Sequence, residues 1–166
     1  MKNLPKAAVI MGSKSDYEVV KPCIAALKKF GVGVEARVMS AHRTPDAVHA
    51  FAADARRNGF GVIVAAAGKA AHLAGVLAAA TTLPVIGLPV QTSLAGGLDS
   101  LLSTVQMPSG VPVACVGVNA GENAGLLAVQ ILSAGFIDLA EKLDAFKADM
   151  AKRIAEDDAE LQKLLQ

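Results

Sequence analysis

The sequence predicts an α/β fold, a doubly wound parallel sheet with helices on both faces, in three layers. Three observations carry this. Short continuous apolar runs, which suit strands covered on both faces, recur along the chain. Segments of helical spacing separate them, so the units are βαβ and the sheet parallel. The chain has 166 residues, enough for one domain with a real core, and its 53% hydrophobic and 19% charged content argues against disorder. With aromatics at 4% and no Trp, that core must be built from Ala, Val, Leu and Ile.

The first strand is "AAVIMG" (7–12). "DYEVVKPCIAALKKFG" (16–31) follows as a helix, with Val19, Val20, Ile24, Leu27 and Phe30 at helical spacing. Pro22 falls early in it, where it costs least, and Gly31 is a C-terminal stop. "GVEARVMS" (33–40) alternates weakly and reads as the second strand. "TPDAVHAFAADARRNG" (44–59) is a helix with a marked start: Thr44 suits the N-cap, Pro45 the first position and Asp46 the positive dipole end. "FGVIVAAAG" (60–68) is a third strand, and "AAHLAGVLAAAT" (70–81) a short helix of small residues. "LPVIGLPV" (83–90) is a fourth strand whose two prolines confine regular pairing to its middle. "PVACVGVN" (112–119) is a fifth strand, and "NAGLLAVQILSA" (123–134) a further helix. Right-handed crossovers then give a flavodoxin-like strand order.

Two segments break the rhythm. "QTSLAGGLDSLLSTVQMPSG" (91–110) is long, polar and Gly-rich, and reads as a functional or contact loop. Residues 137–166 repeat Leu139, Leu143, Phe146, Met150 and Ile154 at steps of three and four, an amphipathic helix. It packs on its own domain or reaches a neighbouring subunit; periodicity alone does not choose.

Several function classes are excluded. The net charge is +1 without a basic block, so nucleic acid is not an expected partner. Cys23 and Cys115 lack metal or disulfide spacing and read as reduced thiols. "MKNLPKAAVIMG" is too short an apolar run for a signal peptide. The most apolar stretch, 60–90, is interrupted by Lys69, His72, Gly and Pro, so no membrane span is expected. A soluble, cytoplasmic protein is the expectation.

In an open parallel sheet, ligands bind at the carboxyl ends of the strands, near the point where strand order reverses. The loops there read "GSKSD", "SAHR" and "GKAAH". In the first, Gly12 permits a tight turn, and the following amides with Ser13 and Ser15 suit an anion such as phosphate. Asp16 accepts hydrogen bonds from a sugar diol or simply caps a helix. In the second, Arg43 offers phosphate a bidentate fork, and His42, with a reference pKa of about 6.5, exchanges protons near neutrality. A solvated surface pair is the alternative. The third supplies Gly68, Lys69 and His72, the last either a ligand contact or a structural histidine. No metal cluster, nucleophile elbow or dinucleotide fingerprint is present. Residue chemistry therefore reaches a small phosphorylated sugar or ribonucleotide handled by His-centred proton transfer without a metal.

The motifs "MGSKSD" (11–16), "SAHRTPD" (40–46), "AAHLAG" (70–75), "LPVIGLPV" (83–90) and "DSLLSTVQMPSGVPVA" (99–114) resemble the N5-carboxyaminoimidazole ribonucleotide mutase family, the PurE family of purine biosynthesis. Similarity in order and spacing runs over about 7–135. The resemblance implies a flavodoxin-like isomerase, free of cofactors and homo-octameric, whose C-terminal helix, about 137–165, reaches a neighbouring subunit. It implies that Ser13, Ser15, Asp16, Ser40 and Arg43 bind a ribonucleotide and that His42 is the general acid/base. Gly68, Ala70, Ala71, His72 and Leu73 would line the place of the base and carboxylate. Departures are confined to one loop, where the family's usual "AGAGGAAHLPG" has Gly at the positions of Ala66 and Lys69 and Pro at that of Ala74. A carboxylase using free CO2 and a non-catalytic phosphosugar-binding module are the competing readings.

Overall fold

The computed structural model describes residues 4–165. Met1–Asn3 of the stretch weighed as a leader, and Gln166 at the end of the predicted C-terminal helix, lie outside the described residues. The strands are β1 (Lys6–Met11), β2 (Val34–Val38), β3 (Phe60–Ala67), β4 (Val85–Pro89) and β5 (Ala114–Cys115). The helices are α1 (Tyr17–Lys29), α2 (Pro45–Asp54), α3 (Leu73–Ala79), α4 (Leu98–Val105), α5 (Gly121–Ser133) and α6 (Ile137–Leu164). All pairings are parallel and the order is β2-β1-β3-β4-β5, the flavodoxin-like order.

Strand alternation splits the core in two. Ala7, Val9 and Met11 of β1 and Val62, Val64 and Ala66 of β3 face α1, α5 and the start of α6. Ala8, Ile10, Ile63 and Ala65 face α2 and α3, meeting Val48, Ala52, Leu73 and Leu77. Period-two burial on both faces is what a central parallel strand requires.

On the first face, α1 and α5 approach closely because α5 carries glycine where they meet. A Cβ on Gly125 would lie 2.7 Å from the Cys23 carbonyl oxygen and 2.8 Å from the Ala26 Cβ. One on Gly121 would run into the Val19 carbonyl oxygen. Cys23 is buried there, and burial pushes its thiol up to about 12, as expected of an inert packing residue. Pro22 lies inside α1, and Gly31 ends that helix at φ 81°; α2 stops at Asp54, and Gly59, at φ 80°, closes the turn that leads into β3.

Helix α2 ends five residues before, and α3 begins three residues after, the bounds expected from sequence; apart from such ends, the structure departs from the sequence reading in three places. The 91–110 segment is not all loop, since α4 occupies Leu98–Val105. Leu98, Leu101, Leu102 and Val105 carry a helical period that the glycines and polar residues around them masked. Gly97, at φ 104°, makes the entry. Pairing of the fifth strand is confined to Ala114 and Cys115, opposite Ile86 and Gly87. Pro112 brings no amide, and beyond Cys115 only isolated bonds, Val116 to Gly87 and Asn119 to Pro89, follow β4. Finally, Thr44 occupies the N-cap position of α2 without capping it. Its Oγ1 accepts from the Ser40 amide and donates to the Ser40 carbonyl, both at 3.0 Å. The residue thus fixes the turn that precedes the helix.

Helix α6 divides into two parts. Leu139 and Leu143 are buried, and Phe146 packs edge-on against Phe30 with ring centroids 5.7 Å apart. From Met150 onward every residue described is exposed, including Ile154, Leu161 and Leu164.

Candidate active site

The carboxyl ends of β1, β2, β3 and β4 open into one cavity of about 680 Å³. Of the residues singled out in the sequence, Ser13, Ser15, Asp16, Ser40, His42, Arg43, Gly68, Ala70 and Leu73 line it. The order β2-β1-β3 brings the three loops together although Asp16, His42 and Lys69 lie 26 and 27 positions apart along the chain.

The β1 loop is held by its own side chains. The Asp16 carboxylate accepts from the Ser13 amide at 3.0 Å, and the Ser13 hydroxyl accepts from the Ser15 amide at 3.3 Å, a reciprocal capping box. Asp16 therefore both caps and lines the cavity. The amides expected to cradle an anion are partly engaged internally, and the Ser15 hydroxyl donates to the Ser13 hydroxyl at 2.9 Å and to the Asp16 carboxylate at 3.3 Å, which leaves the Ser13 hydroxyl proton to a ligand. Asp16 is 9% exposed. Burial raises its pKa, against bonds from Ser13 and Ser15 and the charge of Arg43, which lower it.

The β2 loop is tied to the first through Arg43. One guanidinium nitrogen donates to the Gly12 carbonyl at 2.7 Å, and Nε donates to the Ser40 hydroxyl at 3.3 Å. The Ser40 hydroxyl also accepts from the Arg43 amide at 3.2 Å. Guanidinium has five N–H donors, so the fork is oriented by protein while others stay available to an anion.

His42, next to Arg43, meets the third loop. Its Nε2 lies 3.0 Å from Nδ1 of His72, with the rings edge-on at 80°. One proton occupies that bond. If neutral His42 donates along it, its Nδ1 is bare; if His72 donates, neutral His42 carries its proton on Nδ1. The pair can thus present His42 as base or acid at the nitrogen left outside the bond. His72 itself is not among the cavity-lining residues, and Ala71 beside it is buried.

Lys69, which lines the cavity with Ala67 and Gly68, has φ 58°. A side chain in the left-handed region costs roughly 1–2 kcal/mol. The Lys69 carbonyl accepts from the Ala71 amide at 2.8 Å and from the Ser103 hydroxyl at 3.4 Å, the latter from α4.

The fourth wall includes Val90, Gln91, Thr92 and Ser93; the last three begin the 91–110 segment read as a functional or contact loop, but sequence reasoning did not single them out as site residues. Extending the strand-end rule to the loop after β4 would have done so. Asn119 holds Gln91 through two bonds, of 2.9 Å and 3.0 Å, and Thr92 donates to Asp99 at 2.6 Å. Among the described residues, no group of three His, Cys, Asp or Glu side chains is arranged to hold a metal ion.

Comparisons with known proteins converge on this architecture. A family model described as AIR carboxylase matches residues 6–153. A Saccharolobus solfataricus protein named N5-carboxyaminoimidazole ribonucleotide mutase is 52% identical over 147 residues, covering 89% of this chain and 93% of the relative. A Mycobacterium tuberculosis protein of the same name is 52% identical over 160 residues, covering 96% and 92%. Among solved structures, Treponema denticola PurE superposes with a TM-score of 0.87 at 28% identity, covering 95% of this chain and 98% of the other.

Proposed function

The chain belongs to the AIR carboxylase family, and from that premise we propose that it is the isomerase that converts N5-carboxyaminoimidazole ribonucleotide into 4-carboxy-5-aminoimidazole ribonucleotide in purine biosynthesis. The observation that carries the proposal is the convergence of His42, Arg43 and Asp16 on one cavity at the sheet's carboxyl edge. Two relatives at 52% identity bearing the mutase name support this reading over the direct carboxylase.

In this reading Arg43, with the Ser13 and Ser15 hydroxyls, holds the phosphate, Asp16 accepts from the ribose hydroxyls, and Ser40 keeps Arg43 in place. His42 protonates the carbamate nitrogen. The N–C bond breaks, its electron pair returns to that nitrogen, and CO2 is released into the site. The enamine-like C4 attacks CO2, forming the new C–C bond and the new carboxylate. His42 then removes the C4 proton and aromaticity returns, so one imidazole gives and retakes one proton. Gly68, Ala70 and Leu73 bound the space for base and carboxylate, while Ala71 and His72, outside the cavity lining, support that wall, His72 through its contact with His42. The walls must exclude water and retain CO2, because escape aborts the reaction. No step calls for a cofactor or metal.

A homo-octamer, with the end of α6 on a neighbouring subunit, is part of the proposal. Met150, Ile154, Leu161 and Leu164 are exposed on that helix, and Leu94, Leu98 and Leu102 on the α4 side are exposed as well. Such apolar clusters are characteristic of contact surfaces. No helix among the described residues is long and apolar enough to cross a membrane, and a cytoplasmic site is proposed with the pathway.

The test is to compare initial rates with the N5-carboxylated substrate and with 5-aminoimidazole ribonucleotide plus bicarbonate, without ATP. The first is expected to be faster. Faster use of the second would assign the chain to the direct carboxylases, and binding without conversion of either would leave a sensing module.

A further inference from the structure

Lys69 is a charged residue of the cavity wall to which the reaction above gives no task. The other charges there are committed. Asp16 closes the capping box, and Arg43 is anchored on Gly12 and Ser40. The Lys69 ammonium makes no hydrogen bond or ion pair among the described residues, and the residue is exposed. Yet its backbone is fixed. The carbonyl takes two hydrogen bonds, one from α4, and φ is 58°, where glycine would sit without penalty. A strained residue in a ligand-sized cavity is where function offsets conformational cost.

Charge matching gives that function a content. The proposed substrate has two anionic groups, phosphate and carboxylate. The permanent cations lining the cavity are also two, Arg43 from the β2 loop and Lys69 from the β3 loop. They differ in the way the two anions differ. The phosphate stays put, and a planar, anchored fork suits it. The carboxylate leaves nitrogen and ends on C4, and a compact ammonium on a flexible stem, with three rotatable donors, can follow that short displacement.

We infer that Lys69 is a specificity-determining residue whose ammonium holds the migrating carboxylate and makes the site select carboxylated ribonucleotides over the uncarboxylated one. The inference rests on the mutase reading of the site. Lys69 attracts the carboxylate before and after migration but has no such hold on neutral CO2 between. It therefore holds the bound carboxylates more strongly than the CO2 stage, so its loss raises KM and does not lower kcat.

The test is calorimetric binding of 4-carboxy-5-aminoimidazole ribonucleotide and of 5-aminoimidazole ribonucleotide, which differ only in the carboxylate, to wild type, Lys69→Met and Lys69→Gly. Met removes the charge and keeps the backbone demand; Gly removes both. Both variants are expected to lose about tenfold or more in affinity for the carboxylated ligand, the size of a lost charge-assisted bond, and to keep that for the other within about twofold. In turnover the loss falls on KM, and the melting temperature of Lys69→Gly is no lower than wild type. An equal loss for both ligands, or no loss for either, would overturn the inference. If wild type bound neither ligand, the reading of the site itself would fall, and the inference with it.

Discussion

The α1–α5 contact and the carboxyl edge of the sheet belong to one molecule but follow opposite rules. At the contact every group favours the fold. Gly121 and Gly125 let two backbones touch, Cys23 is a buried, neutral packing atom, and alternating strand residues fill the rest. At the edge the groups oppose it. Asp16 is a carboxylate with a raised pKa in a nearly buried place, and Lys69 holds a left-handed backbone. His42 and His72 spend ring nitrogens on each other at 3.0 Å. Substitutions at the contact should therefore act on stability, and those at the edge on chemistry.

The largest effect should come from His42→Asn. If proton transfer runs through this ring, kcat falls by about 10²–10⁴-fold while ligand binding and melting temperature hold. Near-normal turnover would remove His42 from the chemistry and reduce the edge to a binding surface. Gly125→Ala is the converse. Its added methyl must displace backbone at 2.7 Å, with an expected cost of about 1–3 kcal/mol in urea unfolding. Where the variant is folded, its kcat should be unchanged; a variant as stable as wild type would show that α1 can shift freely.

Asp16→Asn gives the smallest stability effect and joins the two regions. Burial raises the Asp16 pKa above its ordinary 3.8, so the folded state binds its proton more tightly than the unfolded chain does. Its contribution to stability is present below 3.8 and is lost as pH rises through the folded pKa. At pH 7 the asparagine variant, which carries no charge to bury, should be at least as stable as wild type. The gap should shift toward wild type as pH falls past 4. Ribonucleotide affinity should meanwhile drop. A variant markedly less stable at pH 7 would mean that the capping box outweighs the burial of the charge.

Much of this was legible because the pattern is local. Apolar runs of strand length and helical spacing located all five strands, the fifth at too great a length, and most helices, and the strand-end rule led to three loops that do share a cavity. What escaped needed tertiary information. The short β5 is limited by Pro112 and an edge position. Helix α4 hid behind Gly96 and Gly97, which read as a breaker until they proved to be its entry. Thr44 carries the residue type of a cap but spends its hydroxyl on Ser40. The His42–His72 contact spans thirty positions, and nothing in either loop announces it. Lys69 drew notice as an interruption of an apolar stretch, but its left-handed backbone is a property of the turn.

The central claim is that the carboxylate migrates within the site. The direct measurement is to supply substrate labelled with ¹³C in the N5-carboxylate, in excess unlabelled bicarbonate, and to read the product by mass spectrometry at early turnover. Retention of the label at C4 is the predicted result. Product carrying carbon from the bulk bicarbonate would contradict the account and place the chain with enzymes that take CO2 from solution.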